Sequence, residues 1–105
     1  MSAFLAGEYK CAVIRVNGEP AGYCLWRPED GQHGGPAGIY LRQYYIKPGY
    51  RRQGLGRAAL KQIFDDYFTN AAFVSLDVLE HNARGRGFWT DFGFEPDYIH
   101  MVLKR

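Results

Sequence analysis

The sequence predicts an α/β domain built on a mixed, mostly antiparallel sheet, and three observations carry that reading. Asn17-Gly18 separates two segments rich in β-branched and aromatic residues, the signal of a tight hairpin. Beyond Gly54 the apolar period lengthens: Leu55, Ala59, Leu60, Ile63, Phe64, Tyr67 and Phe68 recur at three- and four-residue intervals on one helical face. The strand before that helix and the strand after it are far enough apart in sequence for a right-handed parallel crossover.

Glu8 to Val16 and Pro20 to Trp26 form the antiparallel pair. A two-residue turn pairs Val16 with Glu19, Ile14 with Ala21 and Cys11 with Cys24, and it leaves Pro20 where its missing N–H costs the ladder nothing. Both thiols read as small buried hydrophobes, and a bridge between them would not persist in a reducing cytosol. Arg27 to Gly38, with its prolines and glycines, reads as a loop, and Ile39 to Lys47 as the third strand. The helix from Gly54 runs about four turns, with Asn70 as a left-handed stop. Phe73 to Leu79 makes the fourth strand, Asn82 caps a second helix that runs through Phe92 with Gly93 at its C′ position, and Ile99 to Leu103 closes the sheet.

The chain has 105 residues, 47% of them hydrophobic, enough for one core and one domain over 1–105. Its net charge of +2 gives no case for nucleic acid. No apolar run approaches the roughly 20 residues of a membrane span, and Met1 to Glu8 lacks the pattern of a secretion signal, so the expected address is the cytoplasm. The two cysteines have no metal-ligand spacing.

The charge is more informative in its placement. Lys47, Arg51, Arg52, Arg57 and Lys61 fall in one segment free of acidic residues, with Gly54 and Gly56 at the mouth of the first helix. Free backbone N–H groups and the positive end of the helix dipole meet there, and glycine lets a phosphate approach them, so the segment reads as a pyrophosphate cradle. A flexible turn on a solvated face is the plainer alternative. An ATP-binding P-loop is excluded, because no Gly-Lys-Ser or Gly-Lys-Thr follows. A dinucleotide fingerprint fits Gly54, Gly56 and Ala59 in spacing, but Lys47 to Gln53 intervenes after the strand and the remaining chain is short for it.

The run from Tyr44 to Arg57, Tyr-Tyr-Ile-Lys-Pro-Gly-Tyr-Arg-Arg-Gln-Gly-Leu-Gly-Arg, resembles the GNAT superfamily of N-acetyltransferases. Asn82, Gly85, Phe88, Trp89, Gly93 and Phe94 match a second motif of that family in the right order, and the resemblance runs from about Glu8 to the C-terminus. It implies a GNAT-like sheet with a splayed parallel central pair and flanking helices. It also implies acetyl-coenzyme A as co-substrate, no metal, and a small-molecule or peptide amine as acceptor. Backbone contacts to the pantetheine arm are then expected at Tyr44, Tyr45 and Ile46, and phosphate contacts from Arg51, Arg52, Gln53, Gly54, Leu55, Gly56 and Arg57. Asn82, Gly85 and Phe88 complete the cofactor set.

The same resemblance implies direct attack within a ternary complex, with the Ile46 N–H on the thioester carbonyl and no covalent enzyme intermediate. Asp77 is the candidate base, with Glu80 a weaker substitute; its alternative is a strand-end residue paired with an arginine. Trp89 stands where family members often carry a tyrosine, and an indole N–H donates a hydrogen bond but does not titrate. Core packing accounts for it equally well. Tyr98, Tyr45 or water is left as the acid, while His33, His81 and His100 have no constellation around them. Family members also carry a strand and two helices before the hairpin that shape the acceptor site. A minimal variant, a homodimer in which a second copy completes the site, and a piece of a longer protein each fit their absence.

Overall fold

The computed structural model describes residues 2–6 by their backbone and residues 8–105 in full. Five strands lie in sequence order: β1 (Ser2–Ala6), β2 (Tyr9–Val16), β3 (Glu19–Glu29), β4 (Gly38–Ile46) and β5 (Val74–Ser75). Helix α1 (Leu55–Tyr67) joins β4 to β5, and α2 (Ala83–Phe92) follows. The first three pairings are antiparallel and the β4–β5 pairing is parallel, as the crossover requires. β1 was not anticipated from the sequence; it pairs with β2.

Asn17 and Gly18 both take positive φ, 52° and 83°, the combination whose twist suits a two-residue hairpin. The expected register holds for Val16 with Glu19 and Arg15 with Pro20, and then slips by one. Ala21 is the extra residue of a bulge, so Ile14 faces Gly22, Ala12 faces Cys24 and Cys11 faces Leu25. The expected Cys11–Cys24 pair is therefore corrected. Opposed residues share a face and neighbours alternate, which puts the two thiols on opposite sides of the sheet. Cys24 is buried, whereas Cys11 is only partly so.

β3 continues through Arg27, Pro28 and Glu29, which pair with Tyr40, Ile39 and Gly38, so the loop is shorter than its composition suggested. Pro28 is tolerated there because β2 stops pairing at Trp26 and no ladder awaits its missing N–H. Helix α1 ends at Tyr67 and not at a left-handed Asn70. Packing sets that end: Phe68 turns in against Trp26 and Phe64, with ring centroids 5.2 and 5.0 Å away.

Two further expectations are corrected. Only Val74 and Ser75 of the fourth predicted strand join a ladder, because β4 bulges at Arg42 and draws away from it. The final predicted strand, Ile99 to Leu103, forms no ladder, and residues 95–105 are exposed. An apolar pattern expresses readiness to pair but does not supply the partner strand.

The core lies between one sheet face and α1, where Ile14, Cys24, Trp26, Leu41, Leu60 and Ile63 are buried. α2 packs on the same side through Phe64–Phe92 and Tyr44–Trp89 contacts, centroids 5.2 and 5.9 Å apart. Both α-helices therefore cover one face. The other face, carrying Tyr23, Arg27, Tyr40 and Tyr45, has neither helix against it. No described helix is long and apolar enough to cross a membrane.

Candidate functional site

β4 and β5 are joined only at Ile39–Val74 and Tyr40–Ser75, extended by the Ile39 N–H donating to the Phe73 carbonyl at 3.0 Å. Beyond them the strands part, and backbone alternation determines which groups of β4 are left open. The Lys47 N–H donates to Ala21 of β3 at 2.8 Å, so Tyr45 shares that orientation while Tyr44 and Ile46 turn the other way, into the gap. Of the three predicted backbone contacts, the geometry leaves Tyr44 and Ile46 available and commits Tyr45 to β3.

The gap opens onto the start of α1. Gly54 is its N-cap with φ 78°, in the left-handed region that glycine enters freely. No side chain caps this helix, and its first intrahelical bond runs from the Ala58 N–H to the Gly54 carbonyl. The N–H groups of Leu55, Gly56 and Arg57 are thus orphan donors at the positive end of the helix. A Cβ on Gly56 would meet Phe88 Cε1 at 3.5 Å, an ordinary contact, so nothing in the fold demands glycine there.

The basic residues divide. Arg51 donates from Nε to the Ile46 carbonyl at 2.6 Å and lies 5.5 Å over the Tyr45 ring, which anchors the turn after β4. Arg57 donates to the Asp91 carbonyl at 3.2 Å and lies over Phe92, tying α1 to α2. Gln53 reaches back to Gly49 at 3.4 Å. Arg52 is exposed and held at φ 63°, a strained conformation for a residue with a side chain. Three predicted phosphate contacts therefore have structural employment, and Arg52 is the one whose guanidinium has no hydrogen-bond partner among those described.

Across the gap, Asn82 caps α2 by accepting from the Gly85 N–H at 3.0 Å. A Cβ on Gly85 would lie 2.5 Å from Asn82 Nδ2, so this glycine has a local reason, room for the cap. Phe88 and Trp89 close the wall: both rings contact Tyr44, and Trp89 also packs 5.4 Å from Phe94. Tyr44 itself donates to the Gly56 carbonyl at 2.5 Å. Burial, reinforced by nearby Cys24, pushes its phenol well above the ordinary value, so it stays neutral at any physiological pH.

Asp77 lies just past β5 on the side opposite the helices, where the Tyr40 hydroxyl donates to its Oδ2 at 2.7 Å. That hydrogen bond is the main reason the Tyr40 phenol is raised. Its partner is thus a tyrosine and not the arginine considered from sequence. Beside it, Ser75 donates to Glu29 at 2.5 Å and the Arg27 guanidinium covers the Tyr40 ring at 4.7 Å. Tyr98 is not brought here; it is 75% exposed on the C-terminal segment. Sequence reading missed Tyr40 because it touches Asp77 from 37 residues away, and only the parallel register of β4 and β5 could have exposed the pairing. Among the described residues no group of three or more His, Cys, Asp or Glu could hold a metal ion.

Comparison with known proteins places this geometry. Residues 2–94 match the sequence profile of the Acetyltransferase (GNAT) family. No curated protein sequence matches the chain. Among solved structures, a ribosomal-protein-alanine N-acetyltransferase from Brucella melitensis biovar Abortus 2308 aligns with a TM-score of 0.75 at 15% identity, covering 93% of this chain and 72% of that one. A mutant protein from Bacillus halodurans gives 0.82 at 17% identity, over 93% and 66%. An aminoglycoside N-acetyltransferase in complex with CoA gives 0.74 at 17%, over 95% and 78%. At such identities the likeness is one of fold.

Proposed function

The chain belongs to the acetyltransferase (GNAT) family, and we propose that it transfers an acetyl group from acetyl-coenzyme A to a primary amine by direct attack. One observation carries the reading: α1 begins with uncapped N–H donors beside Gly56, whose missing side chain no neighbour in the fold requires. A helix glycine gives up roughly 0.5–1 kcal/mol relative to alanine, and a closely approaching diphosphate accounts for it. The CoA bound to the structurally similar aminoglycoside enzyme supports the same donor.

In this reading the N–H groups of Leu55 to Arg57, with Arg52, hold the pyrophosphate. Tyr44 and Ile46 offer their backbone to the pantetheine arm, as an added strand would be received. The Ile46 N–H then polarises the thioester carbonyl. Arg51 keeps that stretch of β4 in place through the Ile46 carbonyl, and Asn82, Gly85 and Phe88 form the opposite wall. The amine approaches from the helix-free face, where Asp77 takes its proton directly or through water. The nitrogen bonds to the carbonyl carbon, the carbon–sulfur bond breaks, and the thiolate takes up a proton. Trp89 contributes an N–H donor at most. The acceptor is a small-molecule or peptide amine, and the expected compartment is the cytoplasm.

A second reading is a CoA-binding module with weak or no catalysis. Its specific support is that Trp89 sits in an aromatic cluster and Tyr98 is exposed on the C-terminal segment, which leaves Tyr45 or water, of the acids the sequence offered, for the thiolate. Thiol release from acetyl-coenzyme A across an amine panel decides between them, with calorimetric CoA binding measured on the same sample. Amine-dependent thiol release establishes the enzyme. Binding without turnover establishes the module, and no binding removes both.

A further inference from the structure

The helix-free face carries two arginines that the proposed reaction leaves unused, and both lie at Tyr40. Arg27 faces Tyr40 across the β3–β4 ladder and Arg42 follows Tyr40 by two residues, so alternation turns all three side chains to the same side. The Arg27 guanidinium covers the Tyr40 ring at 4.7 Å and donates to the Pro28 carbonyl at 3.1 Å. Arg42 comes to the other end of that ring. The Tyr40 hydroxyl is raised mainly by its bond to Asp77, and the Arg42 guanidinium beside it pulls the other way. Two cations thus flank the tyrosine that holds Asp77.

Among the described hydrogen bonds, neither acid of this face takes up an arginine. Asp77 accepts from Tyr40 and Glu29 from Ser75, a hydroxyl in each case. The described bond of Arg27 uses one of the five N–H donors of a guanidinium. The ring and the Pro28 carbonyl therefore hold this group in place before any ligand arrives, which lowers the entropy lost when it binds an anion. A carboxylate matches the planar fork with two parallel hydrogen bonds. Toward the gap the face continues through Gln43 and the tilted Tyr23–Tyr45 pair, centroids 5.6 Å apart, an aromatic floor beside the charged end.

On the reading that the amine acceptor approaches this face, we infer that it is an aminocarboxylate of the amino-acid type. Its amine meets Asp77, its carboxylate is taken by Arg27 and Arg42, and an apolar side chain lies on Tyr23 and Tyr45. A simple amine brings no anion to the two arginines, and neither does a peptide N-terminus, whose first carboxyl is an amide. An amino acid carries its carboxylate within a few bonds of the reacting nitrogen, so one small molecule meets both the acid and the bases that Tyr40 gathers.

Calorimetric titration of the full chain, with and without coenzyme A, by L-phenylalanine, L-phenylalaninamide and 2-phenylethylamine tests it, since the three share a body and differ at the carboxylate. L-Phenylalanine should bind about tenfold or more tightly than either analogue, the scale of hydrogen bonds between charged groups. Arg27→Gln and Arg42→Gln should each shrink that ratio, and the double variant should bring it close to one with unchanged far-UV dichroism. Equal affinity for the acid and its analogues, tighter binding of either analogue, or no binding of any of the three overturns the proposal. So does a ratio that survives the double variant. Thiol release from acetyl-coenzyme A is read separately. Its absence beside a preference for the acid removes acetyl transfer and keeps the carboxylate site, whereas transfer without that preference removes the site alone.

Discussion

The Tyr44 hydroxyl donates to the Gly56 carbonyl at 2.5 Å, binding the centre of β4 to the first turn of α1. The bond joins the two elements that flank the gap, so it fixes their separation as well as contributing to stability. Tyr44→Phe should lower unfolding free energy by about 1 kcal/mol, the net value of a typical hydrogen bond. Urea denaturation should show a lower midpoint with an unchanged slope. If the gap receives the pantetheine arm, the same variant should also raise the KM for acetyl-coenzyme A more than it lowers kcat.

The sequence made most of this region legible and misplaced what depends on register. Asn17-Gly18, the helical period after Gly54 and the cap at Asn82 are local chemistry, and each appears where the residues put it. The bulges at Ala21 and Arg42 are different. A single extra residue reverses which groups face which way, and no residue type announces it. The first bulge undid the Cys11–Cys24 pairing, and the second reverses the alternation along β4, so that Tyr44 and Ile46 rather than Tyr45 turn their backbone toward the gap. Arg51 and Arg57 read as phosphate ligands by charge, yet their guanidinium groups are bound to carbonyls of the fold. Charge can be read from sequence, but the competition for its hydrogen bonds cannot.

Gly56 separates function from folding. Because an added Cβ would make only ordinary contact with Phe88, Gly56→Ala should hold or raise stability by up to about 1 kcal/mol through helix propensity. CoA affinity should fall about tenfold or more, a loss of at least ~1.4 kcal/mol. Calorimetry of binding beside thermal unfolding reads both signs, and unchanged affinity would remove Gly56 from the cradle. Gly54 is a poorer probe, since at φ 78° any side chain is strained and both quantities would fall.

Asp77 invites a kinetic test. As the base it should lose about 10²- to 10⁴-fold in kcat on replacement by Asn, the usual range for removing a general base. KM for acetyl-coenzyme A should change little, because the side chain lies on the face away from both helices. Tyr40→Phe removes its 2.7 Å hydrogen bond and should produce a smaller fall in the same constant. Equal kcat in wild type and Asp77→Asn would return Asp77 to a structural role alone.

The buried Cys24 makes stability sensitive to alkali. Burial, with a smaller contribution from Cys11, pushes its thiol from the ordinary 9.0 up to about 12. The folded chain therefore keeps a proton that the unfolded chain releases, so stability is fully present below pH 9 and is lost as pH rises toward 12. The decline reaches at most about 1.4 kcal/mol per pH unit for one such group. Tyr44, raised from 10.0, adds its own decline above pH 10. Urea midpoints should thus be level between pH 7 and 9 and fall beyond, with Cys11 and Tyr40, both also raised, adding to the decline. Cys24→Ala should be less stable at neutral pH by a constant offset of about 1 kcal/mol for the lost sulfur. Its decline between pH 9 and 10 should be shallower than that of the wild type, and parallel curves through that interval would show that Cys24 does not hold its proton in the fold.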